Sequence, residues 1–223
     1  MRIGVVIPTL NCGGYLRQCV GSIRIQTLQP DVINIVDGHS DDDTRDVIAE
    51  LRDGFSLIHY RIPRLGIAHA RNYGIERMPD VDMVVPLDAD DWLAPTYVER
   101  CAAAMVPDVG IVATGLTWAD SGIVQYPKEP LTVEHMLNQN CIFSCSMFRR
   151  KCWADVGGYD EHRRTYEDWE FWLRIMKAGW EVAVIREPLH HYRPHLASSC
   201  ARMKAGDHEE YVRYIREKHG SGV

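Results

Sequence analysis

No stretch of the 223-residue chain approaches the ~18 consecutive apolar residues that a membrane-spanning helix needs. The start, Met1-Arg2-Ile3-Gly4-Val5-Val6-Ile7, runs directly into a strand-like segment without the layout of a signal peptide. Together these absences predict a cytoplasmic protein, at most peripheral to a membrane. Basic charge is also short: 25 Lys and Arg against 31 Asp and Glu give a net charge of −6. That excludes a broad nucleic-acid surface, which needs a basic face to neutralise phosphates, while leaving room for a local basic groove. The seven cysteines, at 12, 19, 101, 141, 145, 152 and 200, form an odd set with no disulfide rhythm, so reduced thiols are expected. Cys141 and Cys145 lack a second cysteine or histidine pair to complete a zinc set and read as small apolar fillers. Repeats, low-complexity tracts and linkers are missing too, which predicts one domain over 1–223.

What is present is ordinary globular composition, 46% hydrophobic and 25% charged. Residues 3–7, 32–36, 55–60 and 81–87 read as buried strands. Between them, Tyr15 to Gln26, 43–52 and Ile67 to Arg77 carry apolar side chains at helical spacing. Alternation of this kind predicts an α/β fold with a mostly parallel sheet, ligands lying beyond the carboxyl ends of its strands. Three polar loops would line that crevice: Pro8-Thr9-Leu10-Asn11, Asp37-Gly38-His39-Ser40 and Asp88-Ala89-Asp90. After Trp92 the rhythm changes. A helix over 95–105, a β-rich stretch over 110–126 turning at Ser121-Gly122, a helix near 132–138 and an extended segment over 142–149 are expected. A helical turn over 152–156, an amphipathic helix from Glu167 to Lys177, short strands over 181–186 and 189–193, and a charged helix over 201–218 complete the chain. The boundary near 92–94 separates two halves of one domain.

In Leu87-Asp88-Ala89-Asp90-Asp91 an apolar strand runs out into carboxylates. If 81–88 is extended, Asp88 and Asp90 point to one side and could converge on a hard divalent ion carrying substrate phosphates. The alternative is a solvated acidic turn with Asp91 or Thr96 as a helix cap. The acidic run from Asp37 to Asp46 offers no EF-hand register.

In order along the chain, Val6-Ile7-Pro8-Thr9-Leu10-Asn11, Val36-Asp37-Gly38-His39-Ser40-Asp41-Asp42, Arg64-Leu65-Gly66 through Ala70-Arg71-Asn72, Leu87-Asp88-Ala89-Asp90-Asp91, Val156-Gly157-Gly158-Tyr159-Asp160-Glu161 and Tyr166-Glu167-Asp168-Trp169 resemble the motifs of family 2 glycosyltransferases of the GT-A fold. The match extends over about 3–199. His39 departs from it, replacing a usual small residue in the second motif. The resemblance implies a Rossmann-like nucleotide-sugar half (1–92) fused to a smaller mixed α/β acceptor half (93–200), then a C-terminal helix and tail (201–223). It implies a soluble, inverting, metal-dependent enzyme that moves a sugar from a nucleotide diphosphate, UDP favoured, to a hydroxyl of a glycan, lipid-linked sugar or other acceptor. A homodimer is compatible with it.

By the same resemblance Asp168 is the general base, with Glu167, Tyr159 and Asp160 on the acceptor side or supporting the base. Pro8, Thr9 and Asn11 shape the nucleoside pocket, Asp37 accepts from the base, and a carboxylate there suits a pyrimidine imide. Asp90 holds Mn²⁺ or Mg²⁺, with Asp88 beside it or on the ribose or sugar. Arg71 faces the crevice and holds phosphate. In the tail His190 to Ser199, His191 or His195 could complete the metal sphere and Arg193 could bind the diphosphate. Blander alternatives stand beside each: acidic residues favour a first helical turn, Asp37 can be a turn residue, Arg71 a solvated helix residue, and Glu170 with Arg174 a surface pair. Two other functions are open, nucleotidyl transfer and a non-catalytic nucleotide-sugar-binding module. The first is disfavoured because the loop Asn11 to Tyr15 contains no lysine.

Overall fold

A computed structural model describes residues 1–52, 56–162, 166–196 and 206–220. β1 (Ile3–Thr9), α1 (Gly13–Arg24), β2 (Val32–Asp37), α2 (Thr44–Leu51), β3 (Leu57–Arg61), α3 (Ile67–Glu76) and β4 (Met83–Pro86) alternate as expected. Then come β5 (Trp92–Leu93), α4 (Tyr97–Ala104), β6 (Val109–Trp118), β7 (Val124–Gln125), α5 (Val133–Met136), β8 (Met147–Arg149), α6 (Arg150–Val156), α7 (Glu167–Lys177), β9 (Glu181–Tyr192) and α8 (Asp207–His219). Among the described residues the strands form one mixed sheet in the order β3-β2-β1-β4-β8-β6-β9-β5, with β7 added on β6.

β1 pairs in parallel with β2 and β4, and β2 with β3. The chain therefore winds outward from β1 to β3 and returns to the other side of β1. That reversal opens a crevice at the carboxyl ends of β1 and β4, where Thr9 and the Asp88–Asp91 segment lie. Period-2 alternation splits the core: Ile3, Val5 and Ile7 pack with Leu16, Ile48 and Val98 on one face, and Val6, Val84 and Ile111 with Ile75, Trp172 and Ile215 on the other.

Two expectations are corrected. The segments at 181–186 and 189–193 form one strand, β9, whose register against β6 slips from Thr114↔Ile185 to Gly115↔Pro188. A bulge at a proline, which has no N–H for the ladder, explains the apparent break in the sequence. The fourth strand ends at Pro86, so Asp88 to Asp91 is a turn, with the Asp91 N–H donating to the Asp88 carbonyl at 3.1 Å. Strand alternation thus does not set the directions of Asp88 and Asp90. Of the expected helix over 201–218, residues 201–205 lie outside the described residues, as does Phe55 at the start of the expected third strand.

Two close contacts seat α3. A Cβ on Gly74 would stand 2.7 Å from Val6 Cγ2 and 2.8 Å from Val36 Cγ2, so only glycine lets the helix lie this near β1 and β2. Buried Asn34 donates from Nδ2 to the Gly74 carbonyl at 2.8 Å. Arg71, one turn earlier, is thereby held over the sheet.

Helix α8 docks on α7 through Tyr211 and Ile215, both buried, and through Glu170. Far from a surface pair, Glu170 is 1% exposed. It accepts from Arg174 Nε at 2.8 and 2.9 Å, while Lys218 Nζ and His219 Nε2 stand 2.9 and 3.0 Å from its Oε1. Burial alone would raise this carboxyl, but hydrogen bonds from His219, Arg174 and Lys218 outweigh it and hold it at about 2. A depressed carboxyl stabilises the fold above its unfolded pKa, and that stabilisation fades as pH falls from about 4.3 toward 2. It is worth about 3 kcal/mol at neutral pH. Urea melts of Glu170→Gln should show most of that loss at pH 7 and a flatter acid dependence below pH 4.5 than the parent.

Candidate active site

Asp90 lies at the centre of the turn after β4. Its Oδ2 is 2.7 Å from His195 Nε2, and its carbonyl accepts from Arg193 Nε at 3.0 Å. Burial first, then the charges of Asp88 and Asp91, push its carboxyl up to about 6. Asp91 is buried and structural: Oδ2 stands 2.8 Å from His190 Nε2, and Oδ1 accepts the Arg193 N–H at 2.8 Å. The segment after β9 is thereby laced onto the acidic turn.

The two histidines expected near the acidic turn take different places. His195 meets Asp90, whereas His191 stacks flat on Trp92, ring centroids 5.0 Å apart. The pairing Leu93↔His190 and Trp92↔His191 sends His190 to Asp91 and His191 to Trp92, because neighbouring strand residues face opposite sides. Arg193 is more committed than a free diphosphate clamp. Its guanidinium lies 4.7 Å from the Trp92 ring and 5.1 Å from the Tyr15 ring, donates from Nε to the Asp90 carbonyl and bonds Gln18 through Nη2. Of its polar groups, Nη1 remains for a ligand.

Arg71 is neither a solvated helix residue nor a free phosphate ligand. It is fully buried, and its fork is filled from both halves of the molecule: Nη2 donates to Asp88 Oδ1 at 2.7 Å and Nη1 to Glu167 Oε1 at 2.6 Å. The Tyr159 ring lies 5.4 Å from it. Glu167 and Asp168 occupy the first turn of α7, entered through Tyr166 in a left-handed conformation at φ 58°. Burial raises both carboxyls, and the Arg71 charge pulls each back. Asp168 is half-buried, and its Oδ2 accepts from Asn140 Nδ2 at 3.1 Å. Asn140, in the segment between α5 and β8, orients this carboxylate, and nothing in the sequence singled it out.

Toward the nucleoside side, Thr9 and Asp37 are register partners on β1 and β2. Asp37 is fully buried and uses Oδ1 to accept from the Ser40 N–H and hydroxyl, at 2.8 and 2.6 Å. Asp37 Oδ2 and Thr9 Oγ1 are both buried without a hydrogen-bond partner. Pro8 is buried in β1 beside them. Asn11 adopts φ 56°, receives nothing at its side chain from a helix, and instead joins two loops: its N–H donates to Ser40 Oγ and its Oδ1 accepts the Asp41 N–H, both at 2.9 Å. His39 sits in the left-handed region at φ 69°, where histidine is among the better tolerated side chains, and its carbonyl accepts from Arg64.

The two further residues expected on the acceptor side or in support of the base are placed differently: Tyr159 lies against the Arg71 guanidinium that also holds Glu167, and Asp160 faces α8. Tyr159 is buried, stacked on Phe171 at 4.0 Å, with its hydroxyl unpartnered. Asp160 accepts from the Tyr214 hydroxyl at 2.6 Å and pairs with Lys218, so it fastens α8 rather than facing Asp168. Asn72 holds this loop, donating to the Tyr159 carbonyl and accepting its N–H, each at 2.8 Å.

Among the described residues no set of three or more His, Cys, Asp or Glu gathers closely enough to hold a metal unaided. Asp90 and His195 nonetheless offer a carboxylate and an imidazole 2.7 Å apart, near the roughly 3 Å that separates neighbouring octahedral ligands with bonds of about 2.1 Å. Asp88 adds a carboxylate whose second oxygen is not taken by Arg71. This donor set fits an ion that completes its sphere with substrate phosphates and water. No helix among the described residues is long and apolar enough to cross a membrane.

The chain resembles known proteins in sequence and in fold. The family model for glycosyl transferase family 2 matches residues 4–157. EpsH of Bacillus subtilis is 28% identical, the alignment covering 90% of this chain and 63% of that protein. RfbN of Salmonella typhimurium, an O-antigen chain rhamnosyltransferase, is 23% identical over 87% of this chain and 68% of its own. This chain thus spans about two thirds of those relatives. Among solved structures, S. aureus TarS residues 1–349 with UDP-GlcNAc superposes with a TM-score of 0.79 at 18% identity, over 98% of this chain and 66% of that one. The mannosyltransferase PcManGT of Pyrobaculum calidifontis, with GDP-Man and Mn²⁺, gives 0.66 at 20% identity, over 98% and 61%. With the mixed α/β sheet, the acidic turn and the motif order already described, the match over residues 4–157 makes the chain a member of glycosyl transferase family 2 with the GT-A fold.

Proposed function

We propose that the protein is an inverting, metal-dependent transferase that moves a sugar from a UDP-sugar to an acceptor hydroxyl. The observation that carries this reading is the Arg71 bridge, 2.7 Å to Asp88 and 2.6 Å to Glu167. One guanidinium ties the donor-side acidic turn to the first turn of α7, so that Asp168 is set beside the place where a donor sugar would lie. In a single displacement the acceptor hydroxyl attacks the anomeric carbon, the bond to the diphosphate breaks, and Asp168 takes the hydroxyl proton. Asn140 holds Asp168 in position for that transfer.

Uridine is favoured because Thr9 Oγ1 and Asp37 Oδ2 are buried and unsatisfied. A uracil edge carries one N–H donor flanked by carbonyl acceptors, which complements a carboxylate oxygen next to a hydroxyl. Asp90 and His195, with Asp88 beside them, would hold a Mn²⁺- or Mg²⁺-class ion, which supplies Lewis-acid stabilisation of the departing diphosphate. TarS bound to UDP-GlcNAc and PcManGT bound to GDP-Man and Mn²⁺ lend support by analogy.

A thermal-shift panel of nucleotide sugars, with and without Mn²⁺, tests the reading. A UDP-sugar should give the largest Mn²⁺-dependent shift and then be hydrolysed slowly to UDP and free sugar. Binding without any turnover would support a non-catalytic module, and release of pyrophosphate from UTP and a sugar phosphate would support nucleotidyl transfer. Asp90→Ala should lose the Mn²⁺-dependent gain in UDP affinity, by tenfold or more. Calorimetry showing the same gain in that variant would remove Asp90 from the ion's sphere.

A further inference from the structure

A second polar concavity lies on the outer edge of the sheet, apart from the acidic turn. It has a volume of about 420 Å³ and is lined by Arg45, Ala49, Arg52, His59 and Arg61. Its construction follows from two periodicities. Arg45, Ala49 and Arg52 fall at i, i+4 and i+7 along α2 and its C-terminal cap, so they share one stripe. His59 and Arg61 are two apart on the edge strand β3 and share one face. Leu57, also on that face, packs into the same core cluster as Val47 and Ile48 of α2, which brings stripe and face together.

Charge inside the cleft is unbalanced. Arg45 and Arg52 are exposed and have no ion-pair partner among the described residues. Arg61 has one distant acidic neighbour, with its Nε 3.8 Å from Asp37 Oδ2. Glu50, which could have neutralised the α2 stripe, is paired with Arg17 at 2.7 Å instead. His59 Nε2 is buried without any hydrogen-bond partner. Burial first, then Arg52, Arg45 and Arg61, lower the His59 imidazole against the opposing pull of Asp37. In a protein of net charge −6, three arginines and a histidine whose Nε2 has no hydrogen-bond partner thus meet around one hollow.

We propose that the cleft between α2 and the edge strand β3 is a binding site for a small phosphate-bearing anion. Planar guanidinium groups from two elements can each meet phosphate oxygens bidentately. The Ala49 methyl leaves room between Arg45 and Arg52, and the His59 ring lines the same cleft. The concave shape and the recessed histidine favour a compact ligand over a flat anionic surface. None of its lining residues belongs to the acidic turn or to α7, and its one link to the donor reading is Arg61, whose Nε stands 3.8 Å from Asp37 Oδ2.

Inorganic pyrophosphate, titrated calorimetrically into the full chain in EDTA at constant ionic strength, is the probe, with histidine-labelled NMR to locate it. The ring signals of His59 should move while those of His195 stay. The double variant Arg45→Ala, Arg52→Ala should bind at least tenfold more weakly with an unchanged melting temperature. Ala49→Glu, which places a carboxylate between the arginines, should weaken binding by a different route. Undiminished affinity in both variants, shifts at His195 in place of His59, or no binding at millimolar pyrophosphate would each overturn the site. A parallel arm uses phosphatidylcholine vesicles containing phosphatidylglycerol. Capture by these vesicles without pyrophosphate binding would overturn it in favour of a lipid-facing surface.

Discussion

Asp168→Asn should lower the rate of sugar transfer by roughly 10²–10⁴-fold, the usual contribution of a positioned proton acceptor, while UDP-sugar affinity changes less than twofold. The substitution keeps the shape of the side chain and leaves an oxygen to accept from Asn140, which in the parent donates to Asp168 at 3.1 Å. What disappears is the capacity to take the acceptor's proton. Calorimetry on the donor and single-turnover kinetics on the transfer separate the two effects. Turnover within tenfold of the parent would assign the proton to another group. The pH profile adds a check with a defined sign. Burial raises the Asp168 carboxyl above the ordinary aspartate range, and the base must be ionised to work. Activity should therefore fall as pH drops through a limb lying above that range, and the limb should be missing from the residual activity of Asp168→Asn.

Arg71→Met should cost the fold about 3–5 kcal/mol at neutral pH, the penalty for removing one partner from a buried charge network. The guanidinium is completely buried, and its two amino groups serve Asp88 and Glu167. Without it, Glu167 is left in an apolar setting beside Asp168 with no counter-charge. Burial already raises Glu167, and only Arg71 among the main influences of opposite charge pulls it down. In the variant its folded pKa rises further above the unfolded value. A raised carboxyl stabilises the fold only below the unfolded pKa, and the deficit grows as pH rises through the folded one. Arg71→Met should accordingly be least impaired near pH 4 and most impaired near pH 8 relative to the parent. Denaturant melts at both values read this directly, and a pH-independent difference would show that lost packing against Tyr159 dominates. Glu167→Gln in the same background should recover part of the loss at high pH.

The first half of the chain was readable because its strands are fully buried, so Ile3–Thr9, Val32–Asp37 and Met83–Pro86 stand out as apolar runs ending in polar loops. The amphipathic helix Glu167–Lys177 was readable from its periodicity. β9 reads as two strands in the sequence because Pro188 interrupts the pattern, while its ladder to β6 continues beyond a bulge. The family motif in their segment puts Tyr159 and Asp160 on the acceptor side or in support of the base. Their actual neighbours, Phe171 and Lys218, belong to helices whose docking is not written locally.

By itself, the sequence determined which chemical groups are available and at which strand and helix ends they sit, since hydrophobic period and turn residues act over a few positions. The pairing of those groups was decided only by the tertiary structure. Arg71 meets Glu167 across 96 residues of chain, and His195 meets Asp90 across 105. Whether His190 or His191 faces the acidic turn depends on the register of β5 against β9. A one-residue difference in register turns every side chain to the opposite face, and long-range packing sets that register.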